Sequence, residues 1–231
     1  PMFNHLFISL PNPGFDIIKQ ISSLFYDFLW EGTAKIKQSI IVKDYCEGGL
    51  KMINFSAFIH SLKLTWIRRV LLTQHKWSKI IEENLDIKYI WQFGNAYTEK
   101  QRGKVTNQFW KDVLESYGNL MKRNNPSNKE NILTTPMFYN DLLKIDEKPI
   151  FLKHWCGRGI FLINDIIKYN GHFYSENEIK EIFNIQTNFI EYHSLITVIK
   201  KFLKTANYNL NKEKLHGPIL PNHVSIILKS K

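Results

Sequence analysis

Between residues 200 and 231 the chain carries Lys200, Lys201, Lys204, Lys212, Lys214, Lys229 and Lys231 against a single acid, Glu213. Ammonium groups in such excess are suited to one kind of chemistry, the neutralisation of successive phosphates along a polyanion. The same spacing also suits a solvated helix face followed by a loose tail, so both readings stay open on these residues alone.

Groups that could carry out catalysis are sparser. None of the eight histidines has a partner at metal-ligand spacing. Cys46 and Cys156 are far apart and belong to no Cys-x-x-Cys pair, which points away from a disulfide framework or zinc site and towards a reducing, intracellular setting. No Gly-rich phosphate loop and no Gly-x-Ser-x-Gly element occurs. Tyr139-Asn140-Asp141-Leu142 superficially resembles a polymerase carboxylate motif but lacks the adjacent aspartates that hold two metal ions, so it reads as a turn. Glu82-Glu83 reads as a helix surface pair, and Gly157-Arg158-Gly159 is a weak phosphate signal. No catalytic residue and no cofactor is assigned.

The whole composition agrees with a binding role. The chain has 231 residues, 44% hydrophobic, so it can bury a core; 31 lysines and arginines against 21 acids leave a formal charge of +10. Such a balance favours nucleic acid first and an acidic membrane surface second. No run reaches the roughly 20 apolar residues of a membrane span, and the N-terminus lacks the basic start of a signal peptide. The chain opens on Pro1 and is expected to be a fragment of a longer protein.

These lysines need elements to position them. Residues 1–14 read as an extended lead-in, since Pro11 and Pro13 oppose helix. Ile17, Ile18, Ile21, Leu24, Phe25, Phe28 and Leu29 then fall on one helical face, with Lys19, Gln20, Ser23 and Asp27 opposite and Gly32 as a stop. Residues 38–47 suit a strand by Ile40-Ile41-Val42 and a short helix by Ser39 and Gly48; the helix is preferred. Asn54 caps a long helix over 55–73, whose main stripe (Phe55, Phe58, Ile59, Leu62, Trp66, Val70) and second stripe (Leu64, Ile67, Leu71) place it centrally, with Arg68 on the polar arc. Further helices are expected near 76–84, 107–122, 176–183 (capped by Ser175 and Glu178) and 189–204. In the last, Lys200, Lys201 and Lys204 lie opposite the apolar face. Trp30, Trp66 and Trp110 sit in apolar helix patterns and read as core rather than as base-stacking platforms. Little or no sheet is expected, and the fold class is mainly α.

"FLWEG", "KIK", "EGGLKM" and "FSAFIHSLKLTWIRR" in succession resemble the region just downstream of the polymerase palm in LINE-type non-LTR retrotransposon reverse transcriptases. In that family a helix ends in an aromatic-Trp-x-Gly element, a basic segment and a Gly-Gly-Leu turn follow, and a long helix carries a Lys-x-x-Trp core like Lys63–Trp66. "NQFWKDVLESY", "KPIFLKHWCGRGI", "FLINDII" and "NGHFYSENEIKEIFN" extend the resemblance over about 1–205.

The resemblance implies a multi-helix, thumb-like segment at 1–121 and a helical connector at 132–205; the residues 122–131, with Asn, Pro and Ser and no apolar residue, read as a linker between them, and 206–231 as a basic, loosely structured tail. It implies that Trp30, Gly48 and Gly49 are structural, and that Lys35, Lys37, Lys63 and Arg68 contact a template–primer backbone; Lys200, Lys201 and Lys204 are candidates for the same contact from their charge cluster alone. The family's Tyr-x-Asp-Asp element, fingers, endonuclease and Cys/His knuckle are not in these residues. The implied chain is therefore a nucleic-acid-gripping piece of an RNA-directed DNA polymerase. Its implied partners are RNA, DNA and the polymerase and endonuclease domains of the same polyprotein, in cytoplasm and nucleus and with no membrane. The alternative is a stand-alone helical interaction module or a degenerate, non-functional element copy.

Overall fold

A computed structural model describes residues 2–30, 36–72, 79, 82–83, 85, 89–123, 132–210, 224 and 227. Among these the chain is mainly helical. In order come α1 (Met2–Ser9), α2 (Phe15–Trp30), α3 (Gln38–Ile41), a 3-10 turn (Tyr45–Glu47), α4 (Phe55–Leu72), α5 (Asn95–Lys104) and α6 (Gln108–Arg123). A hairpin, β1 (Lys144–Ile145) with β2 (Lys148–Pro149), is followed by α7 (Lys153–Cys156), a 3-10 turn (Ile163–Ile166), α8 (Glu176–Phe183) and α9 (Phe189–Thr205). The strands pair antiparallel, Lys144 opposite Pro149.

The lead-in is helical where the sequence suggests an extended segment. Pro11 restricts the residue before it, so the helix closes at Ser9 and residues 2–9 remain free to coil. Helix α4 lies centrally, as its two apolar stripes require, and packs against α1, α2 and α6. Trp66 meets Phe109 and Trp110 edge-on at 5.5 and 5.8 Å, the favoured geometry for aromatic quadrupoles.

A polar seam fastens these helices. The Lys63 ammonium donates to the Leu10 carbonyl and the Trp66 indole donates to the Ile8 carbonyl at 2.8 Å. Both acceptors lie at the end of α1, where carbonyls have no helical partner. From α6, Asp112 accepts from the Asn12 backbone N–H at 2.6 Å and from Gln108 at 2.8 Å. His60 bonds Ser116 across the same interface at 2.8 Å.

The glycine pair is a tight knot, and its two residues are needed for different reasons. Gly48 closes the 3-10 turn in the left-handed region, φ 77°, where a side chain meets its own backbone. Gly49 is buried, and a Cβ there would stand 2.0 Å from the Lys43 carbonyl oxygen. Three ladder bonds tie the knot: Gly49 N–H to Asp44 O, Leu50 N–H to Ile41 O and Lys51 N–H to Lys43 O.

Helix α5 was not legible as a helix. Its sequence is polar, yet Tyr97, Thr98 and Gln101 are buried against α6. Its N-terminus is satisfied from a distant turn, Gly94 N–H donating to Phe138 O and Ala96 N–H to Tyr139 O, each at 2.9 Å. The expected capping box at Ser175 and Glu178 is present, and α9 has a second one from Asn188 and Glu191. One hydrophobic cluster runs from Trp66 through Tyr117, Phe138 and Trp155 to Leu203, and takes in Ile227. Val224 and Ile227 are buried, so the stretch expected as a loose tail contributes apolar side chains to the interior. The helix expected near 76–84 and the segment 124–131 fall largely or wholly outside the described residues; Glu82 and Glu83 are exposed helical residues, as expected.

Gly48→Ala should cost about 1–2 kcal/mol for its left-handed backbone. Gly49→Ala should cost more, because the Lys43 carbonyl must move aside. Gly48→Asn should recover part of the first loss and nothing comparable should rescue the second. Thermal melts of the three variants check the order; equal melting for Gly49→Ala and wild type would refute the close approach.

Candidate nucleic-acid interface

Helix α9 forms because its apolar residues recur at helical spacing and its cap is closed by Asn188. Tyr192, Leu195, Ile196, Ile199 and Leu203 are buried, which turns Lys200, Lys201 and Lys204 outward together. All three are exposed. None forms an ion pair with a carboxylate among the described residues, whereas Arg102, Lys122, Lys144, Lys168 and Lys180 are each paired. Lys200 also reaches within 5.8 Å of the Phe173 ring centre. A cationic face of this kind can follow a phosphate backbone by charge without reading sequence.

The glycine knot carries a second group. Lys37 is exposed at the start of α3, where its carbonyl accepts from Ile40 and Ile41. Lys43 and Lys51 stand in register across the knot, both exposed, and Lys51 is within 3.5 Å of Asp44. Lys43 and Lys51 are not evident from the sequence because nothing along the chain shows that the knot sets them opposite each other. Lys35 lies outside the described residues, as do Lys212, Lys214, Lys229 and Lys231.

Two expected contacts do not stand on this surface. Lys63 is fully buried between α4 and α6, its ammonium 4.4 Å from the Phe109 ring centre. Burial pulls its pKa down to about 8, partly offset by the Asp112 charge. It fills the α4 stripe at the position between Ile59 and Trp66 and cannot reach a phosphate in this structure. Arg68 is half-buried rather than on an open polar arc, with its Nε enclosed. The signal for Lys63 is present in the sequence: positions 55, 59, 63, 66 and 70 share one face. Its charge alone points the reading outward.

Of the residues expected to be structural, Trp30 departs from the core position expected for it. Gly48 and Gly49 make the turn, Trp66 and Trp110 are core, and Trp30 is half-buried at the end of α2. Trp30 also lines an open groove of about 760 Å³ beside Phe15, Tyr26 and Phe55, where Lys19 is balanced by Asp27. That groove does not carry the surplus charge of a phosphate channel.

Groups with possible reactivity are occupied. Asp141 sits in the expected turn and accepts from Asn95 at 2.6 Å, with Lys144 3.5 Å away. Gly159, at φ +83°, ends the α7 turn, and Arg158 is exposed. Both thiols are free, and burial pushes Cys156 up to about 12, which removes its thiolate at neutral pH. The hydrogen bond from Lys168, with those from Ser175, holds Glu178 down at about 2. No cluster of His, Cys, Asp or Glu able to hold a metal occurs among the described residues. None of their helices is long and apolar enough to cross a membrane.

Lys63→Met separates the structural role of this lysine from a binding role. Its pKa is lowered on folding, so the charged form costs stability at neutral pH, and that cost is relieved as pH rises from about 8 towards the unfolded value near 10.4. Wild type should therefore gain on Lys63→Met by up to about 3 kcal/mol across that window. Urea unfolding of both proteins at about pH 7 and about pH 9.5 should show about 2 kcal/mol of it. A constant difference would show that Lys63 is solvated. Any nucleic-acid binding at neutral pH should be the same for the variant and for wild type. No protein-family model, curated protein or solved structure matches this chain.

Proposed function

We propose that this chain is a non-catalytic piece of a retrotransposon-encoded RNA-directed DNA polymerase of the non-LTR type, a thumb-and-connector segment that grips the template–primer backbone. The observation that carries the reading is the outward, carboxylate-free face of Lys200, Lys201 and Lys204 on α9. The glycine knot, which holds Lys37 and Lys43 exposed at a rigid turn, supports it. Gripping by shape and phosphate needs stiff helices and unspent cations, not a reactive group. The binding partners on this reading are RNA, DNA and the polymerase and endonuclease domains of the same polyprotein, in the cytoplasm and nucleus. The chain alone is then expected not to extend a primer.

Fluorescence anisotropy with an RNA–DNA hybrid at several salt concentrations tests the reading. Affinity should fall steeply with salt and vary little with sequence, with a log–log slope of about −0.9 per phosphate neutralised on B-DNA and a related value on the hybrid. Replacing Lys200, Lys201 and Lys204 with glutamine should flatten the slope in proportion to the number of phosphates these lysines neutralise. Lys37→Gln with Lys43→Gln should give a smaller change of the same sign. Lys180→Gln, whose ammonium is 2.5 Å from Glu176, should change nothing. Absence of binding by the wild-type chain at low salt would leave the helical interaction module as the better reading.

A further inference from the structure

Helix α2 has no buried residue. Ile17, Leu24 and Phe28 are 51%, 68% and 87% exposed, and Phe25 and Leu29 beside them are 51% and 41% exposed. It meets α4 through Phe25 and Phe55, ring centres 6.0 Å apart. With half-buried Ile21, the outward residues follow the spacing Ile17, Ile21, Leu24, Phe28, which is four, three and four. Those three steps cover eleven residues, about 3.7 per step and close to the 3.6-residue turn, so the four side chains stay on one narrow face of the helix that a second helix can meet.

We propose that this seam joins two copies of the chain, each α2 laying its Ile17–Ile21–Leu24–Phe28 stripe on the same stripe of the other. The area is sufficient. At about 200 Å² for a fully exposed large side chain, the five exposed residues offer roughly 600 Å² of apolar surface per copy. A standard interface needs about 800 Å² per partner, of which a little over half is apolar. The charge distribution permits it as well. Two chains of formal charge +10 repel, but α2 carries Asp16 and Asp27 against Lys19 alone, so the seam lies where the excess positive charge is not. A stripe without a cation also does not suit phosphate. An isologous interface requires a surface complementary to itself, and a seam of alternating three- and four-residue steps is one.

Sedimentation velocity of the full, nuclease-treated chain over a wide concentration range tests the proposal. The expected result is a concentration-dependent species of twice 27.4 kDa that persists in high salt. Leu24→Glu and, separately, Phe28→Ser should weaken association by at least about tenfold with unchanged helical circular dichroism, because both residues are already in water. Ser23→Lys, on the polar side of α2, should leave the association intact. A single monomeric species at all concentrations overturns the proposal and gives the seam to a different polypeptide. A dimer indifferent to both seam variants overturns it too.

Discussion

The buried ammonium of Lys63 is the constraint around which the N-terminal half is arranged. A charge taken out of water is costly unless its donors are used. Here the donor finds the Leu10 carbonyl, the Phe109 ring lies against it, and Asp112 supplies an opposing charge from α6. Leu10 must therefore lie over α4, which fixes where α1 ends, and Trp66 three residues on fixes Ile8 in the same way. Aromatic contacts add to these bonds, Phe7 of α1 and Phe25 of α2 meeting Phe55 at 5.4 and 6.0 Å. Ile41, Phe55 and Ile59 are buried but stand outside the main hydrophobic cluster, which begins at Trp66.

The same electrostatic logic sorts the remaining cations. Elsewhere on the surface, Arg102 and Lys122 share Glu99, Arg102 also reaches Glu115, and Lys168 meets Glu178. These pairs locate side chains and leave little field outside. The trio on α9 is different, because the carboxylate of that helix, Glu191, is at its other end, where it closes the cap and faces His154. Acid at the start and lysine at the end also complement the helix dipole, an effect of several tenths of a kcal/mol that would keep lysines there in an inert protein. The dipole, however, is served by a residue in the last turn. It does not require Lys200 and Lys201 earlier in the helix to be unpaired as well.

What could be read in the sequence was periodicity and punctuation. The spans of α2, α4, α6, α8 and α9, the Ser175 cap and the φ > 0 glycine follow from spacing and residue type, which act locally. What could not be read was set by distant partners. Helix α5 is polar, and the carbonyls of Phe138 and Tyr139 complete its first turn from more than forty residues away. Lys63 looks like a surface residue when charge is weighed above position on the helix. Gly49 looks like a left-handed turn residue, while its actual demand is steric and comes from Lys43, across the knot. Lys43 and Lys51 join the candidate interface only when the knot closes.

The knot and the latch impose opposite treatments of lysine within thirty residues of one another. At the knot, backbone groups satisfy each other through the Asp44, Ile41 and Lys43 carbonyls, so the side chains of Lys37 and Lys43 are not needed for the fold and remain in water. At the latch, α1 ends in carbonyls with no helical donor, and Lys63 is drawn inward to supply one. The deciding quantity is therefore local backbone accounting rather than side-chain type. Where turns close their own hydrogen bonds, lysines are free for a partner; where a helix end is buried open, a lysine is spent on it. On that rule α9, whose last carbonyls are satisfied by the N–H groups of Ala206, Asn207 and Tyr208, is the place in the C-terminal half where lysines can be left for binding.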